Sequence, residues 1–496
     1  MAGIVLNMLL LGYMLWRYKK HTPASKTHVT NLRSYWPVAV LLVPAISLWC
    51  YAQQQTGITG DEIFSATFCA GTSLFRTWSY YMLPNNHIFF NLLNNVLSSL
   101  LHTDAVITGR AISFLSYVGM LCVAYVWMVR QTGNKWLSVV MTLPLALQLS
   151  TFLLAQEGRG YELQLFFAWG AFAALFSYVL SAGKASLRWF VIASMAGFAC
   201  VPTYLYIFFS QMLFIACIQL YNRKVDIQLC LHAGIVIAGT YLFYLPALCF
   251  SGVDAFVHNE YVQSGNKDYT AFLPDFYVSL KMYVNAITSS LIEQDHYIHL
   301  VLFLLPVLLL FSHKKADRLI SLFYILLWLG WGVLIFKMQR MPFIRNMVLH
   351  YSFSLAIIVY TFYTMVSAVV ARIRQSALRN WLVAGVVTVP VILLCINQYN
   401  WCVLPRNFSE EVTTNQHVRT ELAAIGKSST IAVSEWSVFY YYFGNKDGYK
   451  VTLCPSGTED YYIHYKDEPM PANMASRFTL LKHTAEGYDV YKRNGM

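Results

Sequence analysis

The sequence predicts an α-helical polytopic membrane protein with a small soluble α/β domain at its C-terminal end, on three observations. Of 496 residues, 57% are apolar and 12% charged, where a soluble domain carries roughly 25% charged residues. Apolar runs of about 20 residues, each long enough to cross a hydrocarbon layer about 30 Å thick, recur up to about position 400. Beyond that point they stop, and polar residues alternate with short apolar stretches. The mean hydropathy of +0.48 agrees with this reading. The net charge of +11 does not point to nucleic acid. The basic residues sit mainly in short loops between the apolar runs, which is the pattern of membrane orientation.

The runs fall at roughly 35–53, 106–129, 135–155, 161–183, 187–202, 204–221, 228–250, 295–312, 319–336, 346–370 and 380–399. With a shorter stretch at Ile4–Trp16 this makes about 11–12 helices. Helix is the form lipid allows, because a spanning segment must satisfy its own backbone hydrogen bonds and these runs lack barrel-strand alternation. The Ile4–Trp16 stretch is followed, not preceded, by basic residues (Arg17, Lys19, Lys20), the reverse of a signal peptide. It is read as a short extra helix with its N-terminus outside. If the loop at 17–34 is cytoplasmic, alternation puts 17 Lys/Arg on the cytoplasmic side and 8 in the outer loops before the tail, as the positive-inside tendency requires.

Three regions follow. Residues 1–34 form an N-terminal helix and a basic cytoplasmic loop. Residues 35–399 form a transmembrane domain with long outer loops at 54–104 and 251–294. Residues 400–496 form a soluble outer-face domain. Long loops carry function more often than short ones, and before the tail only Asp226 and Asp317 among the acidic residues fall on the cytoplasmic side. The chemistry is therefore expected outside. In the tail, 410–426 reads as a polar helix, Thr430–Ser434 and Tyr449–Leu453 as short strands, and Arg477–Arg493 as a hairpin with Thr484–Gly487 near its turn. Of ten cysteines, six lie inside apolar runs, where a thiol packs as a small hydrophobe. Cys402 and Cys454 fall in the tail and can pair in an oxidising compartment.

Asp61-Glu62 follow the first long run closely. Two adjacent carboxylates at the mouth of a helix bundle can supply a general base and a neighbour that orients it; a bare pair of this kind is otherwise a solvated turn. Residues 63–102 alternate apolar and polar groups and are rich in Phe, Tyr and Trp, which suits helices lying in the interface above the carboxylates. Arg159 opens the helix after Gln156-Glu157-Gly158, and Arg110 and Arg345 fall near the same ends of their helices. Guanidinium matches phosphate oxygens with paired hydrogen bonds, so three such arginines can form a phosphate clamp.

In this order the motifs resemble those of the GT-C glycosyltransferases: Asp61-Glu62, then Pro84-Asn-Asn-His87-Ile-Phe-Phe90, Arg110, Glu157-Gly-Arg159-Gly-Tyr161, and Met341-Pro-Phe-Ile-Arg345. The relatives meant are the protein O-mannosyltransferases and the lipid A aminoarabinose transferases. The likeness runs over about residues 35–370. It departs at Pro84–His87, where that family often has His-Pro-Pro, and at Arg159-Gly-Tyr161, where it has Arg-Pro-Tyr. The resemblance implies a GT-C-like bundle and an inverting enzyme that moves sugar from a polyprenyl-phosphate donor to a glycan, lipid or protein acceptor. It implies residence in a bacterial inner membrane, with the site on the periplasmic side. Asp61 is then the general base and Glu62 its helper or an acceptor ligand. Arg159 and Arg345, with Arg110, hold the donor phosphate, while His87, Glu157 and Tyr161 contact substrate. A phosphate leaving group needs positive charge more than a proton donor, so one carboxylate suffices. This set calls for no cofactor; a divalent metal is compatible with it but not implied. The competing readings are a transporter or flippase and a polysaccharide polymerase of the cell envelope. A transporter usually keeps ionisable groups at membrane depth, and these helix centres hold almost none.

Overall fold

The computed structural model describes residues 35–54, 56–81, 86–181, 183–257, 268–288, 296–371, 373, 375–403, 425–426, 428–433, 444, 448–452, 456–465, 470–483 and 488–495. The segment Ile4–Trp16, the polar-helix segment 410–424, Cys454 and Thr484–Gly487 lie outside them. The helices are α1 Val38–Gln53, α2 Gly60–Phe64, α3 Leu74–Ser79, α4 Ile88–Leu101, α5 Ala105–Thr132, α6 Lys135–Ala146, α7 Leu149–Leu154, α8 Gly160–Ser181 and α9 Lys184–Cys200. They continue with α10 Leu205–Asn222, α11 Ile227–Ser251, α12 Asp254–Val257, α13 Tyr269–Thr288, α14 His296–Leu304, α15 Lys315–Met338, α16 Val348–Val370 and α17 Ser376–Val403. Among the described residues six segments are long and apolar enough to cross a membrane, at Ala105–Thr132, Gly160–Ser181, Pro202–Asn222, Ile227–Ser251, Lys315–Met338 and Ile344–Val370, and shorter apolar helices accompany them. The chain is an integral membrane protein.

Two segments differ from expectation. The run at 135–155 is two helices: α6 carries Pro144, which donates no N–H, and ends at Ala146 before α7 begins. The supposed outer loop at 251–294 contains the 20-residue helix α13. Pro274, Asp275 and Lys281 dilute its hydropathy, but Phe272 and Tyr283 are buried, with Phe276 stacked on Trp331 of α15 at 5.8 Å.

The core lies where α5, α8, α15 and α16 meet, around Trp127, Trp169, Phe172, Phe323 and Phe353. Trp169 stacks on Phe353 at 4.7 Å and donates its indole N–H to Ser352 at 3.0 Å, so the buried indole is paired. Asp317, fully buried in the first turn of α15, accepts from Ser312 and Tyr360 at 2.6 Å each. It holds a helix end rather than standing at mid-depth.

The segment between α1 and α5 folds over one end of the bundle as α2, a π-helical turn at Ser65–Ala70, α3 and α4. Asparagines fasten it. Asn91, Asn94 and Asn95 share one face of α4 by their spacing. Asn95 Nδ2 donates to the Ala70 and Thr72 carbonyls at 2.6 Å each, and Asn94 Nδ2 to Ala105 at 2.8 Å. Asn91 Nδ2 reaches Asn86 Oδ1 at 2.9 Å, while Asn86 itself donates to the Thr77 and Tyr80 carbonyls. Backbone groups in this irregular cover would otherwise lack partners. Trp78 of α3 ties it to α11 through the Phe243 carbonyl at 2.8 Å.

After α17 comes a five-stranded sheet of order β2-β1-β3-β5-β4, with β1 Thr430–Val433, β2 Lys450–Thr452, β3 Tyr461–Tyr465, β4 Phe478–His483 and β5 Tyr488–Arg493. β1 pairs in parallel with β2 and β3, and β5 antiparallel with β3 and β4. Alternate residues face opposite ways, putting Ile431, Val433, Ile463 and Val490 in one core and Ala432, Tyr462, Met474 and Phe478 in another. Cys402 packs its Sγ toward the Leu147 carbonyl at 3.5 Å.

Candidate active site

The site is built around the short loop 155–159, and its shape comes from contacts made by five separate segments. Trp49 of α1 donates to the Ala155 carbonyl at 2.9 Å. Thr56 donates to Gln156 Oε1 at 2.5 Å. Glu62 Oε1 accepts from the Gly158 N–H at 2.8 Å. Ser113 Oγ of α5 donates to the Arg159 carbonyl at 3.0 Å and accepts from the Arg159 N–H at 3.3 Å. His87 Nδ1 accepts from the Gly160 N–H at 2.9 Å. The space on both sides of Arg159 is tight, so any side chain larger than glycine's there would press on its neighbours. A Cβ on Gly158 would stand 3.0 Å from Glu62 Oε1, and one on Gly160 3.0 Å from the His87 Cβ.

The two adjacent acids part company. Thr59 caps α2 by accepting from the Glu62 N–H at 3.3 Å, and successive side chains on this helix point about 100° apart. Glu62 turns inward, its side chain fully buried, and takes a forked pair of bonds from Arg110, Nε to Oε1 at 2.6 Å and Nη2 to Oε2 at 2.7 Å. Arg110 also donates to the Gly57 carbonyl at 2.6 Å. Asp61 turns toward solvent. Its Oδ2 lies 2.5 Å from Arg345 Nη1 and 3.6 Å from Arg159 Nη1. The structure thus brings Asp61, Arg159 and Arg345 together, and separately joins Glu62 to Arg110.

Tyr161 is the platform between the rest. The His87 ring meets it edge-on at 4.7 Å, and the Arg159 guanidinium lies over it at 5.8 Å. Because His87 Nδ1 accepts a backbone N–H, the ring proton sits on Nε2. Burial, then the nearby Arg159 and Arg345 charges, holds its pKa well below the usual value, so the ring is neutral. Glu157 is half-buried, and burial pushes its carboxyl up to about 7, with Arg159 opposing the rise and Glu62 and Asp61 adding to it. A carboxyl raised in the fold loses stability as pH climbs from its unfolded value to its folded one. Glu157→Gln is therefore expected to flatten the fall in thermal stability between about pH 4.5 and 7, read by melting curves at fixed salt.

No protein-family profile matches this chain, and no curated protein does. Solved structures do. ArnT from Cupriavidus metallidurans, bound to undecaprenyl phosphate, aligns with a TM-score of 0.59 at 11% identity, over 92% of this chain and 97% of its own. Its apo state gives 0.57 at 12% identity, over 93% and 98%. The chain has the GT-C fold. The archaeal oligosaccharyltransferase AglB from Archaeoglobus fulgidus, in complex with an inhibitory peptide and a dolichol-phosphate, aligns at 0.50 and 10% identity, over 88% of this chain and 70% of its own. Within the GT-C fold of this chain, the asparagine ladder of α4 and the Ser113 tether are parts that sequence reasoning missed. The signal available for the ladder was the i, i+3, i+4 spacing of Asn91, Asn94 and Asn95. For Ser113, one of two serines in an apolar helix, there was none.

Proposed function

We propose that the chain is a glycosyltransferase that moves a sugar from a polyprenyl-phosphate donor to an acceptor, with inversion, at the outer face of a bacterial inner membrane. One observation carries this reading: Asp61 stands between Arg159 and Arg345 at the end of a GT-C bundle. Two solved proteins of the same fold hold a polyprenyl-type lipid phosphate, undecaprenyl phosphate in ArnT and dolichol-phosphate in AglB.

In this proposal the acceptor's nucleophilic atom gives its proton to the Asp61 carboxylate as it bonds to the anomeric carbon. The bond from that carbon to the phosphate oxygen breaks. The polyprenyl phosphate leaves as an anion held by Arg159 and Arg345, whose charge is in place before the reaction. Glu62 and Arg110 serve as a positioning pair: Glu62 fixes the loop through Gly158, and Arg110 neutralises Glu62. His87 offers a neutral Nε2–H, and Tyr161 and Glu157 complete the substrate walls.

Binding decides the reading first. Native mass spectrometry in detergent is expected to show undecaprenyl phosphate retained by the wild type in preference to phosphatidylglycerol. Arg159→Ala/Arg345→Ala should lose that preference, by about 100-fold or more for two charge-assisted contacts. Equal retention of the two lipids by the wild type would remove the lipid-donor reading.

A further inference from the structure

The Asp61 ion pair shows both guanidinium groups converging on one oxygen, Oδ2, at 2.5 and 3.6 Å. The proposed mechanism asks those guanidiniums to hold a phosphate and asks that carboxylate to accept a proton. Both tasks compete with the pair. We propose that Arg345 is a latch on Asp61, which keeps the carboxylate engaged until a donor phosphate draws the guanidinium away. This inference rests on the lipid-donor reading above and adds an order to it: donor binds first, and the acceptor can be deprotonated only afterwards.

The two arginines are unequally held, and this identifies the one that moves. Arg159 has a 1% exposed side chain, and its backbone N–H and carbonyl are both bonded to Ser113. Arg345 has a 40% exposed side chain, lies on the four-residue 3-10 turn Ile344–Met347, and rests its guanidinium near the Phe343 ring at 5.2 Å. An exposed arginine re-aims by side-chain rotation alone, at little cost. Its present partner is a half-open carboxylate, 29% exposed, which it meets through Oδ2, and the phosphodiester of a donor offers the same fork two free oxygens. When Arg345 turns to the phosphate, Asp61 Oδ2 loses its nearest donor and becomes available to the acceptor's proton. An empty enzyme is thereby prevented from holding a bare base at the membrane surface.

The test needs no acceptor. Undecaprenyl phosphate affinity is measured for wild type, Asp61→Asn, Arg345→Ala and the double variant, with Asp61→Ala as a second probe of the carboxylate. A latch predicts that removing the carboxylate tightens binding about three- to tenfold in the wild-type background, because the anion that competed for Arg345 is gone. In the Arg345→Ala background the same substitution should change affinity less than about twofold. Equal or weaker binding in both Asp61 variants would overturn the latch and leave the donor reading standing. An equal gain in both backgrounds would also overturn it, since that is plain repulsion between two anions. A wild type that binds undecaprenyl phosphate no better than phosphatidylglycerol would overturn the latch and the donor reading together.

Discussion

Asp61→Asn is expected to lower sugar transfer by about 10²–10⁴, the contribution of a positioned general base. Asparagine keeps the shape of aspartate, and its amide oxygen can still accept a hydrogen bond from Arg345, so the fold around α2 should survive. What is lost, on the proposed mechanism, is the group that takes the acceptor's proton. The measurement is the movement of label from a polyprenyl-linked sugar into product, in membranes carrying wild type or variant at matched expression. A variant that keeps wild-type turnover would remove Asp61 from the base position. Glu157, the other carboxyl beside the arginines, would then be tested next by the same assay.

Glu62→Ala should act on the fold before it acts on chemistry. The Glu62 side chain is fully buried and carries two bonds from Arg110 and one from the Gly158 N–H. Truncation takes from Arg110 its forked carboxylate partner and from the loop amide its acceptor. Breaking a buried pair from one side costs about 3–5 kcal/mol, enough to remove much of the stability of an ordinary domain. The expected result is a large fall in folded yield and melting temperature, with the undecaprenyl phosphate signal falling in proportion to folded protein. If Glu62→Ala folds and melts like the wild type but fails in transfer, Glu62 belongs to the chemistry and not to the frame.

These two adjacent acids also mark how far the sequence could be read. Their place after the first apolar run, the arginines at matching helix ends and the late Arg345 are visible in linear order, because length and hydropathy fix where helices end. Which acid turns inward is not visible, since that depends on the Thr59 cap and on Arg110, 48 residues away. The same applies to the arginines. Three of them look alike in the sequence, yet Arg110 is committed to Glu62, while Arg159 and Arg345 face Asp61. In the tail, the hairpin of β4 and β5 was legible from its alternation. β3 was passed over, although Tyr461–Tyr465 carries aromatic and β-branched residues that favour strands, and it pairs with neighbours on both sides. The helix α13 was hidden for the opposite reason: a few polar residues lowered its hydropathy, though packing on α15 gives it a buried face.

The tethers of loop 155–159 have a consequence for how the protein is made. They close over sequence separations of 106, 100, 96, 73 and 46 residues. Contacts between distant parts of a chain form only after the intervening loops have paid their closure entropy. The loop therefore takes its working shape once α1, α2, α4, α5 and α8 have all inserted and docked. A nascent or misassembled chain would hold the arginine of this loop but not its geometry, so sugar transfer would begin only when the bundle is complete.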